Sequence, residues 1–217
     1  MFQSRKLAQF FATPIWLFDL DPAKVATLNA IIFAHLKTLT RPDYQPGDEL
    51  SMQSPHDLHR RPEFAPLVEV ARAACRSVFD ELQVDVPEFD LTGCWINVSP
   101  PLKRHHEHTH PNNYLSLVYY PQVPKGGDSI RFHDPRLAPH VLMPRMKQMT
   151  LLTVNSVTVE VATGRLVAFP SWLRHSVEPN FGSAERISVA MNAMYRDVAE
   201  RYSPPMWQPK MLPKNGS

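Results

Sequence analysis

Hydrophobic and polar positions follow two different rhythms along the chain. In the first ninety residues apolar side chains recur every three to four positions, the period of a helix packed on one face. In PAKVATLNAIIFAHLKTL, Val25, Leu28, Ile32 and Leu36 form such a stripe. Asp21 stands where an N-cap is needed, and Pro22 suits the first helical turn. RPEFAPLVEVARAACRSVFDELQV predicts a second helix, with Leu67, Val70, Ala74 and Val78 on one stripe. The stretch between them, TRPDYQPGDELSMQSPHDLHRRP, is polar and irregular and reads as an ordered surface loop.

From about residue 90 the rhythm shortens to alternating segments bounded by turn residues. They are LTGCWINVS, NYLSLVYYP, DSIRFHDP, MTLLTVNSVTVEV, GRLVAFPS and ERISVAMNAMY. Repeated short strands with no helices between them predict a sandwich or barrel. Alternation also assigns faces. Gly93, Trp95 and Asn97 share one face, taken as barrel-inward, against the apolar Cys94, Ile96 and Val98. Ser116, Val118 and Tyr120 alternate against Leu115, Leu117 and Tyr119. One extra residue at the turn HPNN would exchange Tyr120 for Tyr119. The expected organisation is one domain over 1–217, with helical support in 1–90, a β-barrel core in 91–200 and a tail in 201–217. The tail is rich in proline and lysine, and its end is expected to be loose.

Composition narrows the function classes. The net charge of +2 predicts no nucleic-acid partner. Twenty-two prolines against seven glycines suggest many fixed turns and strand ends. The two cysteines, Cys75 and Cys94, fall in a helical and a strand-like stretch, so both read as buried thiols. No apolar run approaches the roughly 18 residues that span a membrane. The first twenty residues lack the pattern of a cleaved signal, so a soluble cytoplasmic protein is expected, without a membrane partner.

Chemistry concentrates in KRHHEHTHPNN, residues 103–113, which holds four of the ten histidines. In a strand His108 and His110 point to one side, with His106 sharing their parity and His105 and Glu107 facing away. Such a pair beside a strand end chelates a metal well but needs a third ligand. His175, which follows the apolar strand GRLVAFPS, is the best candidate. Arg186 and Ser188 share a strand face farther on, and a guanidinium fork beside a hydroxyl suits bidentate capture of a carboxylate. Two plainer alternatives stand beside this: a surface histidine tract and a structural zinc clip.

The order of these features resembles that of the iron(II)- and 2-oxoglutarate-dependent oxygenases. Within them it is similar to the bacterial and phage-type 2OG-Fe(II) oxygenase family marked by H-x-H-P and S-x-x-Y-Y. The matching residues are His108, His110, Pro111, Ser116, Tyr119 and Tyr120, with DPR at 134–136, FPSWLRHSVEPN at 169–180 and RIS at 186–188. TPIW and QSPHDLH in the N-terminal part also look similar. The resemblance implies an α+β, mainly β fold. It is a double-stranded β-helix, a jelly-roll cupin-like barrel with N-terminal helices outside. It implies an oxygenase that uses Fe(II), O2 and 2-oxoglutarate, hydroxylating a substrate as 2-oxoglutarate is decarboxylated to succinate. His108, His110 and His175 then match the metal site, and Arg186 the anchor of the far carboxylate, with Ser188, Tyr120 and Asn97 assisting. One departure matters: the superfamily's usual triad is His-x-Asp/Glu with a distal His, and here His110 holds the acidic place. Pairing Glu107 with His105 would restore an acidic ligand. Two other functions stay open, a three-histidine cupin-type dioxygenase without 2-oxoglutarate and a non-catalytic metal-binding jelly roll.

Overall fold

A computed structural model describes residues 2–39, 52–85, 88–136 and 144–196. Six strands form one antiparallel sheet: β1 (Trp16–Asp19), β2 (Met52–Gln53), β3 (Phe89–Ser99), β5 (Leu115–Gln122), β8 (Arg165–Pro170) and β10 (Arg186–Tyr195). Their spatial order is β1-β8-β5-β10-β3-β2. Four more form a second antiparallel sheet in the order β4-β9-β6-β7: β4 (His105–His108), β6 (Ser129–His133), β7 (Ser156–Glu160) and β9 (His175–Val177). The two sheets face each other as a jelly-roll barrel. Tyr120, Val167 and Phe169 from the larger sheet meet Ile130 and Phe132 from the smaller one in the apolar interior.

Two helices cover the outer face of the larger sheet. Helix α1 (Pro22–Leu39) and helix α2 (Ala65–Glu81) pack Leu28, Ile32, Leu67, Ala71 and Val78 against Cys94, Ile96, Val98, Leu117 and Tyr119. The start of α1 is capped as its sequence predicts, with Ala23 N donating to Asp21 Oδ1 at 2.8 Å. Tyr119 donates its hydroxyl to Asn29 Oδ1 of α1 at 2.8 Å, so this tyrosine belongs to the helix-facing side. Both cysteines lie in this outer core as free thiols, and burial pushes each up to about 12.

Three differences from the sequence pattern have local causes. The N-terminal part contributes β1 and β2 to the larger sheet as well as helices, pairing with β8 and β3. Strands of four and two residues are too short to display a period. MTLLTVNSVTVEV is strand only over Ser156–Glu160. Its first half turns, because Thr153 Oγ1 accepts from Thr150 N at 2.9 Å and Thr153 N donates to Thr150 O at 2.9 Å. His175 does not sit at the exit of β8; a turn crosses to the smaller sheet, where His175 opens β9. The tail expected at 201–217 and the first part of the loop expected after α1 lie outside the described residues.

Gly164 joins the N-terminal layer to the barrel. It has φ +89°, and an added Cβ would lie 2.7 Å from Val25 Cγ2 of α1. Its N–H donates to Tyr120 O at 2.9 Å, and its carbonyl accepts from Leu20 N at 3.3 Å. Gly164→Ala should therefore cost about 1–3 kcal/mol of unfolding free energy in urea titration. A variant as stable as the wild type would refute this tight seat.

Candidate metal centre

Two turns that face each other deliver the three histidines. His108 ends β4 directly opposite His175, the first residue of β9. His110 follows β4, and its backbone N–H donates to Ser171 O at 3.0 Å in the β8–β9 turn. That turn is fastened beneath β5 by Ser116 Oγ against Ser171 Oγ at 2.8 Å. The ring centroids of His108 and His175 are 4.3 Å apart, and each lies 5.1 Å from that of His110. One ligand atom from each ring lies within 4.8 Å of the others. Nitrogens about 2.1 Å from one ion at right angles are roughly 3 Å apart, so small ring rotations close the set. Nδ1 of His108 lies 2.7 Å from His106 O, and Nδ1 of His175 lies 3.0 Å from Leu173 O. Backbone carbonyls that accept from Nδ1–H leave Nε2 of both rings as metal donors.

Strand register extends this centre into an elongated cavity. Inward rungs of the β3–β10 ladder pair Trp95 with Ala190, Asn97 with Ser188 and Ser99 with Arg186. Trp95 lies beside His110, with centroids 6.0 Å apart, and stacks on His56 at 4.4 Å. Two rungs along, Arg186 is 3 % exposed. Its guanidinium donates to Gly127 O at 3.3 Å and makes no ion pair with any described residue. Tyr120, Val118 and Ser188 line the same cavity, and no carboxylate stands among its described lining residues. A buried cation without a counter-charge is costly, so this end of the cavity suits an anion. Burial raises the Tyr120 phenol, which stays protonated beside Arg186. Asn97 accepts from Gln53 Nε2 at 2.9 Å, which turns its amide N–H2 to the remaining space. The indole N–H of Trp95 is buried without a partner among the described residues.

The smaller sheet departs from simple alternation at the ligand strand. Between His105 and His108 the β4–β9 register shifts, so His105 and His108 both line the cavity while His106 is exposed. The expectation that His105 faces away and His106 shares the parity of His108 is thus corrected by a bulge. Glu107 does point away: it accepts from Arg174 Nη1 at 2.6 Å and lies 3.5 Å from His133 Nδ1. It does not join the converging group, and its pairing with His105 has no support in this geometry. Arg174 is a brace between Glu107 and Asp134 O. The sequence reading missed His105, Gln53, His56 and the unpartnered Trp95 N–H; only the inward parity of Trp95 offered a signal.

Residues 93–192 match the family model described as "Putative 2OG-Fe(II) oxygenase". The match covers just under half of the chain and lies in its barrel strands. The matched span contains the three histidines, Arg186 and Ser188, whereas TPIW and QSPHDLH precede it. Oxygenases of this family use Fe(II), 2-oxoglutarate and O2. Solved structures share the architecture. A prolyl-4-hydroxylase of Pseudomonas putida is 17% identical over 85% of this chain and 94% of its own, with a TM-score of 0.59. The viral collagen prolyl hydroxylase of Paramecium bursaria Chlorella virus-1, in its 2OG complex, is 13% identical over 82% and 94%, with a TM-score of 0.55. The non-heme alpha ketoglutarate dependent carbocyclase SnoK from nogalamycin biosynthesis is 14% identical over 84% and 80%, with a TM-score of 0.59. At such identities the likeness establishes the double-stranded β-helix fold. Among curated proteins, no sequence matches the chain.

Burial sets the protonation of this cavity. It lowers His110 to about 4 and His175 to about 3; burial and then Arg186 lower His105 to about 4. The folded chain keeps these rings neutral where the unfolded chain, near 6.5, takes up protons. Their contribution to stability is therefore complete above pH 6.5 and is lost as the pH falls from there to about 4 for His105 and His110 and to about 3 for His175. Urea midpoints of the metal-free protein should drop steadily across that window. A flat profile would show that the three rings titrate as free imidazoles.

Proposed function

We propose that the protein is an oxygenase that hydroxylates its substrate at a three-histidine iron centre, with 2-oxoglutarate anchored by Arg186. The observation that carries the reading is the uncompensated Arg186 guanidinium at the far end of a cavity that begins at His108, His110 and His175. A planar fork two rungs from the histidines suits a dicarboxylate whose other end reaches the metal. When bound, the metal and co-substrate supply the oxidation: 2-oxoglutarate and O2 yield succinate and CO2 as a substrate C–H becomes C–OH. The chain's own residues bind and orient. His108 and His175 are locked with Nε2 inward by their Nδ1–H bonds to backbone carbonyls. Ser188, Asn97 and the protonated Tyr120 add donors along the walls, and the apolar Val118, Ile130 and Val177 exclude water. The unpartnered indole N–H of Trp95 is a further buried donor with a place for an acceptor.

Three neutral imidazoles carry one negative charge fewer than a triad with Asp or Glu. Glu107 cannot make up the difference while Arg174 holds it. Iron retention should accordingly be weaker than at an acidic triad. A three-histidine dioxygenase that needs no keto-acid would have no use for the buried Arg186, and a structural metal clip would have no use for the cavity. The prolyl hydroxylases and the carbocyclase named above do not specify a substrate for this chain.

Succinate release, screened over metabolite and peptide pools with iron(II) and 2-oxoglutarate, tests the activity. His175→Ala should abolish metal-dependent turnover. Arg186→Lys should weaken 2-oxoglutarate binding about tenfold or more although the charge is kept, because the fork is lost. Undiminished 2-oxoglutarate affinity in Arg186→Ala would rule the anchor out. Oxygen uptake that needs iron but not 2-oxoglutarate would favour the keto-acid-independent reading.

A further inference from the structure

The register shift in β4 places a fourth histidine in the cavity at the end remote from the metal ligands. His108 lies opposite His175, whereas His105 lies opposite Val177, farther along β9. Across the cavity, Ser99 is the β3 partner of Arg186. Ser99 Oγ lies 3.2 Å from His105 Nε2, so the imidazole stands beside the guanidinium. Ser99 is itself held, since its carbonyl accepts from Asn180 Nδ2 at 3.0 Å. With Nε2 engaged by Ser99, Nδ1 of His105 has no hydrogen-bond partner among the described residues. Regular alternation would have sent His105 out and His106 in. A bulge that re-aims one side chain into a binding cavity is the usual work of such irregularities.

We propose that His105 is a second anchor for the distal carboxylate of 2-oxoglutarate, donating an N–H beside the fork of Arg186. This rests on the reading of Arg186 given above. A carboxylate offers about four lone-pair sites, and a guanidinium fork fills two of them. A second cation next to Arg186 would repel it in a buried site, whereas a neutral ring adds a donor without adding charge. Ser99 and Asn180 fix the ring in place before the ligand arrives, so little ordering cost remains on binding. His105 thereby makes the cavity selective for 2-oxo acids with a second carboxylate of the right reach. It is a co-substrate-binding residue rather than a metal ligand.

The test measures binding rather than turnover. Isothermal titration under anaerobic conditions with Mn(II) in place of iron compares 2-oxoglutarate with 2-oxopentanoate, which keeps the 2-oxo acid head and lacks the distal carboxylate. The wild type should prefer 2-oxoglutarate strongly. His105→Phe should weaken 2-oxoglutarate about tenfold, the loss of one hydrogen bond to a charged group, and leave 2-oxopentanoate unchanged. His105→Gln, which keeps a side-chain N–H, should recover part of the preference. His105→Asn, whose amide is too short, should behave like the Phe variant and carries the test if that variant does not fold. Equal losses for both acids, or no loss for either in the Phe and Asn variants, would overturn the role of His105 alone. A wild type that binds both acids equally would overturn the reading of Arg186, and this one with it.

Discussion

The larger sheet is buried on both faces, so each of its central strands must serve two environments in alternation. Outward residues of β3, β5 and β10 pack under α1 and α2, while inward residues line the cavity. Because the side-chain period is two, a slip of one residue would send Arg186, Ser188, Asn97 and Tyr120 into the helix-packed core. It would also bring Cys94, Ile96, Val98 and Tyr119 into the cavity. The chemistry of the site and the stability of the domain therefore depend on the same register. The helices hold that register: Tyr119 is pinned to Asn29, and Asn29 donates in turn to Pro121 O at 3.0 Å.

Electrostatics shapes the interior that this register creates. Arg186 is the cation of a cavity without carboxylates among its described lining residues, and burial keeps three neighbouring imidazoles neutral. The acidic groups near the site are turned outward and neutralised there, as in the brace of Glu107 with Arg174. That brace ties β4 to the segment before β9 on the outside, directly behind His108 and His175. Exposed ion pairs contribute little stability. Its more important effect is to keep Glu107 away from the centre, which leaves the interior ready for anionic ligands. An all-histidine centre, a buried guanidinium and a diacid co-substrate are consistent with one another in this respect.

The alternating segments after residue 90 were sufficient to place β3, β5, β6, β8 and β10 and to separate Tyr120 from Tyr119, because both faces of those strands have demanding surroundings. The helices were legible for the same reason: a long stripe with a capping Asp21 states its period plainly. The convergence of His108, His110 and His175 could be anticipated from spacing and from the family resemblance. The short strands β1, β2 and β9 could not, since two to four residues contain no period and form only where a partner edge is waiting.

Local sequence settles the alternation: which residues of the long strands share a face, and hence that Arg186 and Ser188 lie on the same side of their strand. The tertiary structure alone decided the inside and outside of β4. The bulge between His105 and His108 arises from pairing with β9, some seventy residues away in the chain, and no local pattern encodes it. The same holds for Glu107, whose direction is settled by Arg174 and His133 across the sheet, and for the Trp95 N–H, whose lack of a partner is a property of its packed surroundings. Local sequence sets the period of a strand; its register comes from the partner strand, and in β4 that register decides which histidines line the cavity.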